Sequence, residues 1–140
     1  MATQVNGIQL DTKPLEHMVA MMNDVASIVV RKIAFDVEAN AKSLAPVDLG
    51  ALKASIYVST RGESSYRANS NEAFFLRPSA DIAPEIAASS QLEAIVGVPM
   101  GYAAFVEFGT SRMGAQPFLT PAIEMERENA NKAWAAVFKP

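Results

Sequence analysis

Few residues of this 140-residue chain have types and spacing that could do covalent chemistry, and they are scattered. There is no cysteine, which removes thiolate catalysis, disulfides and every cysteine-ligated metal site together. The single histidine, His17, falls off the apolar stripe of its segment and reads as a solvated side chain. No G-x-S-x-G elbow is present, and a Ser-His triad would have to use that one histidine. Gly109 and Gly114 have the spacing of the outer glycines of a phosphate-binding loop, but Ala115 and Gln116 stand where the lysine and hydroxyl should follow. Among the carboxylates, Glu107 is the best candidate for acid-base work. It sits near the C-terminal end of a short apolar helical run, where the helix dipole disfavours negative charge, so it must have a partner. Arg112, five residues on, and the backbone N–H groups of the following loop are the two options. The reading is a carboxylate that pins the loop, with Gln116 tying the loop backbone through its side-chain amide. No catalytic, metal-ligating or cofactor-binding residue is assigned, and no enzyme activity is expected.

These residues need three elements to position them. Tyr102, Phe105 and Val106 fall at i, i+3 and i+4 and predict a short helix with three large side chains on one face. Gly109 stops it as a left-handed cap. Thr110 to Gln116 reads as loop, and Pro117 and Pro121 mark a new start, with Thr120 as N-cap and Pro121 in the first helical position.

The remaining chain supplies the scaffold. From Lys13 to Ala45 apolar residues recur at three- and four-residue steps (Leu15, Met18, Val19, Met22, Val25, Ala26, Val29, Ile33, Val37, Ala41, Leu44), opened by Pro14 and closed by Pro46. A rod of some 30 residues and about 45 Å is longer than a small sheet needs, so part of it should project or pack on another subunit. A break near Val29 and Val30 is the alternative. Met21, Ile28, Val30 and Phe35 make the other side apolar as well, which asks for a second partner. Asp48 would cap a single helical turn through Ala54, with its carboxylate accepting from Gly50 or Ala51. Ile56 to Thr60 and Leu92 to Pro99 alternate as strands, and Ala73 to Arg77 reads as a returning strand. Residues 61–72 form a polar hairpin loop, and 78–90, punctuated by Pro78 and Pro84, an excursion. The last helix runs from Thr120 to Phe138, with Ile123, Ala130, Trp134, Val137 and Phe138 inward and Glu124, Glu126, Arg127, Glu128 and Lys132 wet. Its acids lie towards its start and its lysines towards its end, as the dipole favours.

The expected architecture is therefore α+β: a long N-terminal helix and a C-terminal helix packed on a small, mainly antiparallel sheet, in one domain over residues 1–140 with 1–12 as a flexible arm. The expected core holds Val25, Val29, Ile33, Ile56, Val58, Val96, Phe105, Val106, Phe118 and Trp134. Charged residues are 19% and the formal net charge is −3, which excludes a large basic field for gathering nucleic acid. Neither a secretory signal nor an apolar run long enough for a membrane span is present, and the chain reads as soluble.

Two elements resemble a known family. Ala45-Pro46-Val47-Asp48-Leu49-Gly50-Ala51-Leu52-Lys53-Ala54-Ser55-Ile56 is similar to an upstream A-P-x-D/T-G-x-L-[RK]-x-S-I pattern, with Leu49 where threonine is common. Tyr102 to Thr110 and Ala115 to Ala122 are similar to a downstream Y-A-x-[YF]-V-E-[FY]-G-T and A-Q-P-[FY]-[LM]-x-P-A pattern. Order and spacing agree with the phage tail-component family typified by the gene-product-ten protein of phage Hong Kong ninety-seven. On that resemblance Pro46, Asp48, Gly50, Tyr102, Glu107, Phe108, Gly109, Thr110, Gln116, Pro117 and Pro121 are motif residues with structural roles.

The resemblance implies a structural virion protein of a long-tailed phage, made in the host bacterial cytoplasm. It would form a ring, hexameric by expectation, at the head-tail joint or the head-proximal end of the tail. Its partners would be itself and other neck, connector and tail proteins, with DNA only as passing cargo and no membrane or small-molecule substrate. Arg61, Tyr66, Arg67, Arg77 and Arg112 are the candidate partner or lumen contacts, and the apolar Phe74, Phe75 and Leu76 a candidate contact surface. A tail terminator ring is one alternative. Another is a non-virion assembly chaperone or binding module that uses the long apolar helix.

Overall fold

In the computed structural model the described residues are 2–5, 8–47, 50–61, 63–64, 88 and 90–137. The chain's longest apolar periodicity becomes one unbroken helix, α1 (Lys13–Leu44), with Pro14 in its first turn and no break at Val29. At about 1.5 Å per residue its 32 residues span about 48 Å. Ala45 leaves the helix with ψ 137°, the extended conformation that a following proline imposes, and its N–H closes the last turn on Ala41 O at 2.9 Å.

The residues before α1, read as an arm, instead pair as an antiparallel hairpin of β1 (Ala2–Val5) and β2 (Ile8–Asp11), in register from Ala2↔Asp11 to Val5↔Ile8. Asn6-Gly7 between two alternating runs is the sequence signal that would have found it.

After α2 (Gly50–Ser55) the chain enters β3 (Tyr57–Thr60), the centre of a three-stranded antiparallel sheet. β4 (Glu63–Ser64) lies on one side and β5 (Ala94–Gly97) on the other, with Tyr57 opposite Gly97 and Val58 opposite Val96. The return strand thus starts at Glu63, within the segment read as a polar loop; Ala73 to Arg77, Phe74 to Leu76 and the 78–87 stretch lie outside the described residues, as does Asp48. Gly97 has a packing reason: a Cβ there would stand 2.7 Å from the Tyr57 ring, so the missing side chain lets that buried aromatic cross β5.

α3 (Ala103–Phe108) and α4 (Leu119–Val137) complete the fold. α1 packs along α4 and across β3 and β5. The core gathers Val37 and Ala41 of the C-terminal half of α1, Ala45 just after it, Leu52, Ile56, Met100, Ala103, Val106, Phe118 and Ala122, with Ile33 and Val96 half-buried against it. Among the described residues no helix is long and apolar enough to cross a membrane.

The periodicity overstated how much of α1 is covered. Val29 is buried, but Leu15, Met18, Val19, Met22 and Val25, all on the expected inner stripe, are exposed, together with Met21 and Ile28. The stripe is real, but its N-terminal half stays exposed, and among the described residues nothing covers it. Phe105, placed in the core by its spacing, is 58% exposed, because six residues of α3 bury only Ala103, Val106 and Glu107. Ile123 is exposed and Trp134 half-buried, while Glu126, expected to stay wet, is buried and accepts from Asn40 Nδ2 at 2.7 Å. That hydrogen bond joins the two long helices.

Candidate functional site

α3 is too short to hold itself and is built into a junction with α4. Its first turn forms over Met100 and Tyr102, with Ala103 N–H donating to Met100 O at 3.0 Å and Phe105 N–H to Tyr102 O at 3.0 Å. Tyr102 is half-buried, and burial pushes its phenol above the ordinary value. The helix stops at Gly109, whose N–H donates to Phe105 O at 2.9 Å. Gly109 has φ 76° and ψ 179°, so it lies beyond the ordinary left-handed cap, in a region essentially reserved for glycine. A Cβ there would also lie 2.7 Å from Ala115 N and 2.9 Å from Met113 O, so backbone conformation and space both require glycine.

The loop that follows is tied by its own main chain. Thr110 and Met113 exchange hydrogen bonds (2.8 and 3.3 Å), and Thr110 Oγ1 accepts from the N–H groups of Arg112 and Met113. Gln116 N–H donates to Val106 O at 2.8 Å, which returns the loop to α3. The tie is the main chain of Gln116; its side chain is exposed.

Glu107 closes the junction. Its side chain points into the start of α4, where Oε2 accepts from Phe118 N–H at 2.9 Å and Leu119 N–H at 3.0 Å, and Oε1 from Thr120 N–H at 2.8 Å. The first N–H groups of a helix have no partners within it, and here one carboxylate takes three of them. Phe118, just before α4, has no side-chain oxygen to do so, Thr120 lies inside the helix instead of capping it, and the first turn of α4 contains no acid. The carboxylate that the α4 dipole needs therefore comes from α3. Of the two partners the sequence offered, Arg112 is exposed, and the backbone N–H groups that bind are those at the start of α4, just past the loop. Burial, to 8% exposure, pushes the Glu107 carboxyl up; the Thr120 hydroxyl and the three N–H groups outweigh it and hold the group below the ordinary carboxylate value. A carboxylate so satisfied is a structural clamp and has no open acceptor aimed at a substrate.

The structure thus brings Tyr102, Glu107, Phe108, Gly109, Thr110, Arg112, Gln116, Pro117 and Pro121 into one junction. Phe108 is 79% exposed on its outside, while Pro121 is half-buried in the first turn of α4. Pro46 and Gly50 sit apart, at the end of α1 and the start of α2. Arg61 lies beyond β3, beside a small cleft shared with Ser27, Val30, Arg31, Gln91 and Glu93. Tyr66, Arg67 and Arg77 lie outside the described residues. Among the described residues no three His, Asp or Glu side chains group as metal ligands would.

A long helix and a C-terminal helix on a small antiparallel sheet are the α+β architecture expected from the sequence, and the structure adds the junction that Glu107 closes between α3 and α4. The family described as "Bacteriophage HK97-gp10, putative tail-component" matches residues 12–109. The chain belongs to this family. The match runs from the start of α1 through the whole of α3 to Gly109, so it takes in both the exposed helix and the glutamate of the tail component's junction, and ends before α4. No curated protein and no solved structure matches the chain.

Proposed function

We propose that this tail component is a structural virion protein of a long-tailed phage. It assembles with further copies of itself into a ring, with six as the expected number, at the head-tail joint or the head-proximal end of the tail, where DNA passes through it. The observation that carries this reading is the N-terminal half of α1, a helix apolar on more than one side that runs beyond the chain's own core and leaves seven large apolar side chains exposed between Leu15 and Ile28. A ring requires each copy to offer one surface to a different surface of the next, and an apolar rod extending past the core is suited to reach a neighbour. The formal net charge of −3 also suits a conduit, because a wall with few phosphate contacts lets DNA slide.

The test is the mass of the purified protein by light scattering, alone and after mixing with tail tubes or connectors, followed by electron microscopy of the particles. A closed oligomer, free or formed on those particles, supports the reading and gives the ring number. A stable monomer that never joins them refutes it, and would leave the same helix as the grip of an assembly chaperone that holds one partner transiently.

A further inference from the structure

Among the exposed apolar residues of the described structure, two groups differ in makeup. One is the arm, the N-terminal half of α1 with Leu15, Met18, Val19 and Met22 on its main stripe and Met21 and Ile28 beside it. The other is a knob on the junction, where Phe105 and Phe108 stand one helical turn apart on α3 and Met113 is exposed in the loop that follows. The arm is methionine-rich, a composition that adapts to the shape of its partner. The knob is aromatic and held rigid, because Glu107 between the two phenylalanines clamps α3 to α4, and Gly109 with the Thr110–Met113 pair fixes the loop. Rigid aromatic anchors are the residues on which binding energy concentrates.

Size indicates what the arm meets. Its side chains leave on the order of 700–800 Å² open, about one partner's share of a standard-size interface and more than the largest patch usual on a monomer. An arm meeting an arm in a two-fold pair would bury that area and leave every Phe105 and Phe108 in water. An arm meeting the knob of the next copy buries both kinds of surface in one repeated contact.

We infer that the N-terminal half of α1 docks on the Phe105–Phe108–Met113 knob of a neighbouring copy of this chain. This deepens the ring reading above and rests on it. The contact is head-to-tail: each copy gives its arm to one neighbour and its knob to the other.

The chain has no cysteine, so single cysteines report the contact cleanly. Met22→Cys and Phe108→Cys chains, both at exposed positions and checked for folding by circular dichroism, are assembled alone and as a mixture and treated with a bismaleimide. The mixture should give cross-linked dimers, each single variant alone none, and a chain with both cysteines a ladder of multimers. Cross-linking by Met22→Cys alone overturns the inference in favour of arm-to-arm pairing. Oligomers by light scattering without arm-to-knob cross-links overturn it too, yet leave the ring reading standing. A monomer that never joins tail particles refutes both. As a second measurement, Met18→Glu and Phe105→Glu chains should each fail to assemble, while an equimolar mixture should form a one-to-one dimer through the single intact arm and knob. Failure of that mixture to pair, with both variants folded, also overturns the inference.

Discussion

Replacing Glu107 by glutamine exchanges one oxygen for an NH₂ group and should change the stability of the whole domain. The carboxylate accepts three main-chain hydrogen bonds of 2.8–3.0 Å from Phe118, Leu119 and Thr120 at the start of α4. A glutamine of the same shape keeps one acceptor oxygen and turns an NH₂ group towards N–H donors, so at least one bond is lost and a donor faces a donor. A hydrogen bond to a charged group contributes about 1.5–3 kcal/mol, and the negative charge at a helix start adds about 0.3–1 kcal/mol. The expected loss is about 2–4 kcal/mol, or roughly 10 °C in Tm for a chain of this size. The assay is urea unfolding of Glu107→Gln and the parent at equal protein concentration, from neutral pH into acid. The folded carboxyl lies below its ordinary value, so its contribution is complete above the unfolded-state pKa and is lost as pH falls through the folded one. The gap between the two proteins should therefore hold from neutral pH down to the ordinary carboxylate range and narrow below it. Equal stabilities at neutral pH would refute the clamp. A gap that stays constant through the acid range would refute its dependence on charge.

Two further substitutions probe the fold around the clamp. Gly109→Val should cost about 3 kcal/mol or more, since it adds backbone strain of about 1–3 kcal/mol to a Cβ lodged against the Ala115 and Met113 main chain, and a near-unchanged melting temperature would contradict it. Asn40→Asp puts a second carboxylate against buried Glu126, in place of a donor 2.7 Å away, and should destabilise the α1–α4 contact by about 2–4 kcal/mol at neutral pH. That loss should shrink in acid as the like charges are neutralised, the same direction as the Glu107→Gln gap, and both are read by the same urea titration.

What the sequence disclosed was local. α1 was legible because thirty residues of steady period lie between Pro14 and Pro46, and β3 and β5 because their alternation is bounded by turns. Gly109 was legible because a glycine directly after a short apolar run has few other reasons to be there. The partner of Glu107 was not, because it lies 11 to 13 positions away, and Thr120 beside Pro121 offered a more familiar cap. The clue was negative: an acid at the wrong end of one helix, and another helix whose true start, at Leu119, lacks a cap of its own. That part of α1 would lack cover was expected from its length, but which part, and the exposure of Val25 and Phe105, was illegible for a different reason. Periodicity says that a stripe wants cover, but does not say whether the cover belongs to the same chain. Glu126 was misplaced on the wet face because a carboxylate is usually solvated, and only the approach of Asn40 makes its burial affordable.

Because α1 is packed over its C-terminal half and bare over its N-terminal half, its resistance to opening should be graded along its length. A helix in water draws most of its stability from tertiary contact, so amide hydrogens near Ala34 and Ala41 should exchange slowly and those near Val19 much faster. Any partner that grips the bare half must first still that fraying, and the entropy of doing so subtracts from the strength of each single contact. Closing a ring changes the balance, because the last contact forms between copies already held together and so at a high effective concentration. Single contacts of this kind would come apart readily while an assembly is being corrected, and resist separation once the circle is complete.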